Sequence, residues 1–301
     1  MLLGLGWIAY LLCSAVDGTV DLRPEGVLAL VVASTALTLS MFLPSMIFWI
    51  LLNNDSGERV AYADTHELYF SGQLLRYLPG RIWGIAYQIS RTTRRLSAVR
   101  LTRVNVELML YVMGMNVVLS MLILGVRLGW PTNLTLFAFF AGLIALSAFF
   151  MGGFRGMIRG STRLLPKRLA SALDTASERP WEISTLLLVS VIFVGGKAVY
   201  LLAWNLLSRA YPMFEGVDMT SLAMMYSIAA IVGIASVVTP AGLGVREVSF
   251  VVLGSVVAGK GELAFLAVFV RLWLLAAELL LSLLSAITIT WRHRHDETTT
   301  V

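Results

Sequence analysis

Long runs of apolar residues, almost free of charge, constrain this chain more than any other feature. They are Leu2–Val16, Val27–Leu52, Val104–Val126, Leu134–Phe154, Ile183–Leu207, Met219–Val238 and Leu263–Thr290. About 20 apolar residues in a helix cross the hydrocarbon core of a bilayer, and every run but the first reaches that length. Composition agrees: 58% of the 301 residues are apolar and 14% charged, against roughly 45–50% and about 25% in soluble domains. The mean hydropathy is +0.81. Such a chain cannot cover itself with polar surface, which excludes a soluble globular protein and a disordered one. The expected fold is all-α: a polytopic membrane helix bundle of about 7–8 spans. It forms a single membrane domain over 1–301, with similar halves at 1–154 and 183–291.

The connecting segments differ in charge. Asn53–Arg103 carries eight Arg, and Arg155–Glu182 carries five Arg and one Lys. Asp17–Gly26 and Ser208–Asp218 are acidic. Basic segments stay on the cytoplasmic side, so the N-terminus is expected inside a bacterial or archaeal cytoplasmic membrane. Met1–Val16 lacks a basic n-region and a small-residue cleavage site, and is expected to be a retained span. Arg155–Glu182 reads as a basic cytoplasmic linker, or as an interfacial helix on anionic lipid. The 23 basic residues, only three of them Lys, cluster beside apolar runs. They read as topology and phosphate contacts rather than a nucleic-acid footprint.

Two segments behave neither as loops nor as spans: FSGQLLRYLPGRIWGIAYQISR (Phe70–Arg91) and TPAGLGVREVSFVVLGSVVAG (Thr239–Gly259). Each combines Pro, Gly and Arg with otherwise apolar residues. Proline removes a backbone donor and glycine loosens the chain, so each breaks a helix. At membrane depth such breaks persist only against protein or a wet cavity. Both are expected to be broken or re-entrant helices, with hinges at Pro79 and Gly80, and at Pro240, Gly242 and Gly244. Paired interrupted segments at corresponding positions point to a central site. The sequence leaves open whether the halves are parallel or inverted. It also leaves the number of crossings tied to the tail: two Arg in WRHRHDETTTV favour an inside end and eight crossings or the equivalent.

The candidate site residues are charges in these segments. Arg246 and Glu247 are adjacent on a helix, so each needs a different partner. Arg271 and Glu278 are seven residues apart and share a helix face. Charges at membrane depth pair with one another or face a cavity. Arg246 with Glu278, or Glu247 with Arg271, would form ion pairs, either locking the second half or lining a head-group cavity. Arg76 and Arg81 flank the first break, beside Tyr77 and Trp83. An Arg fork binds phosphate bidentately, although both Arg could instead snorkel to the interface. Glu107 could pair with Arg81, Arg91 or Arg103. Lys197 either snorkels or faces the same cavity. The three histidines read as solvated or interfacial, and a lone Cys13 allows no intrachain disulfide. No phosphate loop, nucleophile elbow, acidic metal pair or HExxH occurs, so no catalytic residue, metal or cofactor is expected.

LLRYLPGRIWGIAYQISR resembles the KYxPGKxW…R motif of the lysylphosphatidylglycerol synthase transmembrane family, also described as flippase-like integral membrane proteins. TPAGLGVREVSF, followed by a span with Arg271 and Glu278, resembles that family's PGGLGVRE…R…E region. The resemblance runs from the second span to the last. Ala241 departs from it, standing where the family often has Gly. The resemblance implies a polytopic fold with two re-entrant segments. It also implies kinship with the translocase half of the multiple peptide resistance factor, which moves aminoacylated phosphatidylglycerol between leaflets. Other relatives accompany glycosyltransferases and are linked to polyprenyl-linked or other glycolipids. No loop here holds a soluble aminoacyl-transferase domain, so synthesis of the lysyl-lipid is not expected of this chain.

The expected function is therefore lipid translocation: a polar-headed phospholipid or polyprenyl/glycolipid moves between leaflets through a charged intramembrane cavity. The alternatives are a non-transporting partner or scaffold of a glycosyltransferase or lipid-modifying enzyme, and a membrane-embedded transferase, for which no catalytic cluster is found. The expected partners are membrane lipid and, in the alternative reading, such an enzyme, with self-association left open and no nucleic acid.

Overall fold

The computed structural model describes residues 26–54, 59–75, 83–91, 97–153, 180–236, 242 and 244–299, with side chains as far as residue 288. Every regular element among these residues is helical. In chain order they are α1 (Gly26–Asn53), α2 (Tyr62–Leu75), α3 (Trp83–Ser90), α4 (Ala98–Arg127) and α5 (Thr132–Ala148). Then come α6 (Ile183–Ala210), α7 (Met219–Ala235), α8 (Val245–Gly254) and α9 (Lys260–Thr299). A π turn at Phe149–Gly153 extends α5. Among the described residues, α1, α4, α5 with its π turn, α6 and the 29 residues Lys260–Thr288 of α9 are long and apolar enough to cross a bilayer. That is the mark of an integral membrane protein built as a helical bundle. The expected span Met219–Val238 corresponds to α7, a shorter apolar helix of 17 residues. The expected first span, Leu2–Val16, lies outside the described residues, as does most of the basic linker.

Polar residues sit where helices begin. The Ser97 side chain accepts the Arg100 N–H at 3.1 Å and starts α4, and Asp218 accepts the Ser221 N–H at 3.2 Å and starts α7. These caps satisfy backbone donors that a helix leaves unpaired at its N-terminus. Between the ends the helices are apolar, and large side chains such as Phe137, Ile144, Val191 and Leu283 remain exposed on their outer faces. In water such a surface would drive association; in a bilayer it meets acyl chains.

Contacts between helix termini define two ends of the bundle. At one, Gly26 lies against Ala210, so close that a Cβ on Gly26 would come within 2.6 Å of the Ala210 carbonyl oxygen. Arg127, closing α4, faces Asp218 at 3.9 Å. Phe265, early in α9, packs on Tyr211 and Phe214. At the other end, the Arg100 guanidinium donates to the Leu52 carbonyl, and Thr185 Oγ1 donates to Asn54 Oδ1 at 2.9 Å.

Two helical hairpins enter this frame from opposite ends. α2 and α3 form the first, which opens at the Leu52 end. The Asn53 side chain accepts the Val60 N–H at 2.8 Å just before α2, and Asn105, near the start of α4, donates to Gln88 of α3 at 2.7 Å. The two helices meet nearly backbone to backbone: a Cβ on Gly84 would lie 2.4 Å from the Gly72 carbonyl oxygen. α7 and α8 form the second hairpin, which opens at the Ala210 end, where a Cβ on Gly254 would meet the side chains of Leu263 and Leu222. Its inner turn holds Gly242 (φ +70°) and Gly244 (φ +83°), left-handed conformations that favour glycine. A Cβ on Gly242 would stand 2.8 Å from the Gly233 carbonyl oxygen. α9 packs against both α2 and α8, and so is shared by the two hairpins.

Candidate functional site

The turn before α8 organises the best-defined part of the site. Gly244 reverses the chain, and α8 starts with Arg246 and Glu247 in its first turn. Glu247 is buried, with 3% exposure. Its Oε2 accepts the Gly244 N–H at 2.8 Å, and its Oε1 receives Nη1 of Arg271 from α9. A carboxylate at a helix N-terminus complements the positive end of the helix dipole. The carboxylate thus joins the N-terminus of α8 to the middle of α9. Of the two pairings open in the sequence, the structure forms Glu247 with Arg271.

Arg246 does not pair with Glu278. Its guanidinium carbon stands 4.1 Å from the centre of the Tyr226 ring on α7, a cation–π arrangement. Its Nε is buried and has no acceptor among the described residues. Glu278 lies two turns beyond Arg271 on α9 and is buried, with 2% exposure. Trp273, between them in sequence, donates from Nε1 to Ser34 Oγ of α1 at 2.9 Å.

Lys197 lies at the middle of α6 and is buried. It does not snorkel: Nζ donates to Asn116 Oδ1 of α4 at 2.8 Å and to Ser227 Oγ of α7 at 2.6 Å. The ammonium also stands 4.4 Å from the centre of the Tyr200 ring. Tyr200 packs on Trp204, and Trp204 on Tyr226, with centroids 6.0 and 5.4 Å apart. One aromatic wall therefore connects Lys197 to Arg246.

Glu107 belongs to a different place. It is buried near the Leu52 end, where Oε1 accepts Arg103 Nε at 2.8 Å and Oε2 accepts Trp181 Nε1 at 3.2 Å. Trp181 is itself packed against Tyr111 and Phe150. Asn116 is nine residues further along α4, about 13 Å at 1.5 Å per residue. Glu107 thus locks helices at one end with Arg103 as a partner; Arg81, another of the arginines considered, lies outside the described residues. Trp83 opens α3 and is half exposed. Arg76, Tyr77, Pro79, Gly80, Arg81 and Pro240 lie outside the described residues. His66 differs from expectation: it is partly buried, with its ring 4.6 Å from that of Phe70 and 4.9 Å from that of Phe42.

Sequence reading missed Asn116, Ser227, Tyr200 and Tyr226. Polar residues in apolar runs were a usable signal for the first two, because a buried polar group needs a partner. Nothing in the sequence marked the two tyrosines. No group of three or more His, Cys, Asp or Glu that could hold a metal ion occurs among the described residues.

Comparison with models of known protein families, with curated proteins and with solved structures finds no match for this chain.

Proposed function

We propose that this protein is a flippase-like lipid translocase that carries a polar-headed phospholipid, or a polyprenyl-linked or other glycolipid, between leaflets. In this reading the two hairpins are re-entrant segments. They dip from opposite faces into a bundle of seven or eight crossings whose N-terminus is cytoplasmic. The observation that carries it is the meeting of charge where the second hairpin turns against α9: buried Glu247 with half-buried Arg246 and Arg271.

Depth supports this reading. Along the helix axes, Arg271 is eleven residues from the start of α9, about 16 Å at 1.5 Å per residue. The far end of α2, 14 residues long, is about 20 Å from its start by the same measure. In a hydrocarbon core about 30 Å thick the first level would fall near the middle and the second within the core. Charges there are costly and mark pathways for polar cargo. The resemblance of RYLPGRIW and PAGLGVRE to the flippase-like family points the same way. Arg76 and Arg81, flanking the first hairpin's tip, would meet the head group from the opposite leaflet. The tails would remain in lipid beside the apolar outer faces.

The test is leaflet transfer of fluorescent phospholipid in proteoliposomes. Arg246→Ala and Glu278→Ala are expected to abolish transfer while the protein still elutes as a folded species in detergent. Normal transfer by both variants would reject the proposal.

A further inference from the structure

A groove of about 280 Å³ lies between α4 and α7 at the Ala210 end, lined by Leu122, Ile123, Val126, Arg127 and Thr220. Its shape follows from the helix period. Leu122 and Val126 are four residues apart, as are Ile123 and Arg127, so two neighbouring ridges of α4 form one wall. Apolar side chains occupy the wall, and a cation stands at its head. α4 is long and apolar enough to cross a bilayer, and Arg127 is its last residue. Trp130 follows three residues later and is exposed, as suits a side chain at the membrane–water interface. The groove therefore opens where acyl chains give way to head groups.

The charges at its mouth are not spent on each other. Arg127 Nη1 stands 3.9 Å from Asp218 Oδ2, beyond hydrogen-bond reach, and half of the Arg127 side chain is exposed. Asp218 is engaged as the cap of α7: Oδ1 accepts the Ser221 N–H at 3.2 Å and Oδ2 accepts the Ser221 hydroxyl at 2.7 Å. A carboxylate has about four acceptor positions, so Asp218 keeps room for a further donor. On the far wall, Thr220 Oγ1 accepts Asn205 Nδ2 at 3.0 Å.

We propose that this groove binds a zwitterionic phospholipid with a primary ammonium head group, of the phosphatidylethanolamine type. The guanidinium fork of Arg127 takes two phosphate oxygens. The ammonium of the head group donates to Asp218, and part of one acyl chain lies along Leu122, Ile123 and Val126. Charge complementarity selects the class. Arg127 and Asp218 together are neutral but present opposite charges side by side, as the head group does. An anionic lipid would set a second negative charge near Asp218, and a choline head group has no N–H to donate. The volume is at the lower end of ligand pockets, about 300–1,000 Å³, so the remainder of the lipid stays in the bilayer. The groove is separate from the charges at the α8 turn, and the proposal is independent of the translocation reading.

The experiment uses the full chain, stripped of lipid in neutral detergent, with thermal unfolding followed by tryptophan fluorescence. The probes are dioctanoyl phosphatidylethanolamine, phosphatidylcholine and phosphatidylglycerol, and dioctanoylglycerol, which lacks a head group. Phosphatidylethanolamine is expected to stabilise the protein at a concentration about tenfold below the other two phospholipids, the gain typical of a hydrogen bond between charged groups. Dioctanoylglycerol is expected to have no effect. Asp218→Asn keeps a good helix cap and should erase the advantage of phosphatidylethanolamine over phosphatidylcholine. Arg127→Gln, at an exposed position, should weaken binding of phosphatidylethanolamine about tenfold. Lys260→Gln removes a cation at the same end, on α9 and outside the groove, and should change neither.

Equal stabilisation by the four lipids, or tighter binding of phosphatidylglycerol than of phosphatidylethanolamine, overturns the site from the wild-type protein alone, whatever the variants' folding. Wild-type affinity in Arg127→Gln, or a retained preference in Asp218→Asn, also overturns it. An equal loss in Lys260→Gln would do the same, because it would assign the binding to surface charge in general.

Discussion

Glu247 offers the sharpest test of how the second hairpin is held. Replacing it with Ala removes the partner of Arg271, whose side chain is only 16% exposed, and frees the buried Gly244 N–H that Oε2 accepts at 2.8 Å. Breaking a buried pair from one side costs about 3–5 kcal/mol, because the surviving charge stays desolvated. Arg271 keeps some exposure and a long stem, so about 3 kcal/mol is the expected loss. Replacing both residues with apolar ones removes the stranded charge and leaves mainly the Gly244 donor unpaired, about 1–2 kcal/mol. The two single losses should therefore exceed the double loss by about 2 kcal/mol or more in a double-mutant cycle. Reversible unfolding in mixed micelles, titrated with sodium dodecyl sulfate and read by tryptophan fluorescence, gives all four free energies. A loss below about 1 kcal/mol for Glu247→Ala, or strict additivity, would refute the account of the pair as a buried strut.

Other consequences concern the hairpins and the Glu107 lock. Gly242→Ala places a side chain at φ +70° and 2.8 Å from the Gly233 carbonyl oxygen; a loss of about 1–3 kcal/mol is expected. Gly195→Ala is the control: its Cβ would meet nothing within 4 Å, and helix propensity predicts up to about 1 kcal/mol of gain in the same assay. Equal stability of the two variants would contradict the close approach at Gly242. Gly84→Ala places a Cβ 2.4 Å from the Gly72 carbonyl oxygen; a loss of about 1–3 kcal/mol is expected in the same assay, and unchanged stability would contradict the packing of α2 on α3. Glu107→Gln keeps the shape but loses the charge facing Arg103, and about 1.5–3 kcal/mol of stability. Its melting temperature should fall and Trp181 emission should shift, whereas a wild-type melt would place Glu107 in solvent.

Hydropathy alone located the long helices: Val27–Leu52, Val104–Val126 and Ile183–Leu207 fall inside α1, α4 and α6. The reason is physical. A bilayer offers no partner to the backbone, so any apolar run of sufficient length must satisfy its own hydrogen bonds as a helix. The Gly and Pro residues of PAGLGVRE likewise announced a break, because few residues besides glycine adopt the positive φ found at Gly242 and Gly244.

Which groups meet across helices was a matter for tertiary structure. Glu247 had Arg271 as a candidate partner, Arg246 had Glu278, and Glu107 had three arginines; spacing along one helix could not choose, since the choice depends on how each neighbour is rotated and how deep it sits. The opposed entry of the two hairpins was equally invisible, because a broken helix reads the same from either side of the membrane. Lys197 shows the limit most plainly. Its position in an apolar run announced a buried or snorkelling cation, but only the meeting of α4, α6 and α7 brought Asn116 and Ser227 to its ammonium, and only the turn into α8 brought Arg246 to the far end of the same aromatic wall.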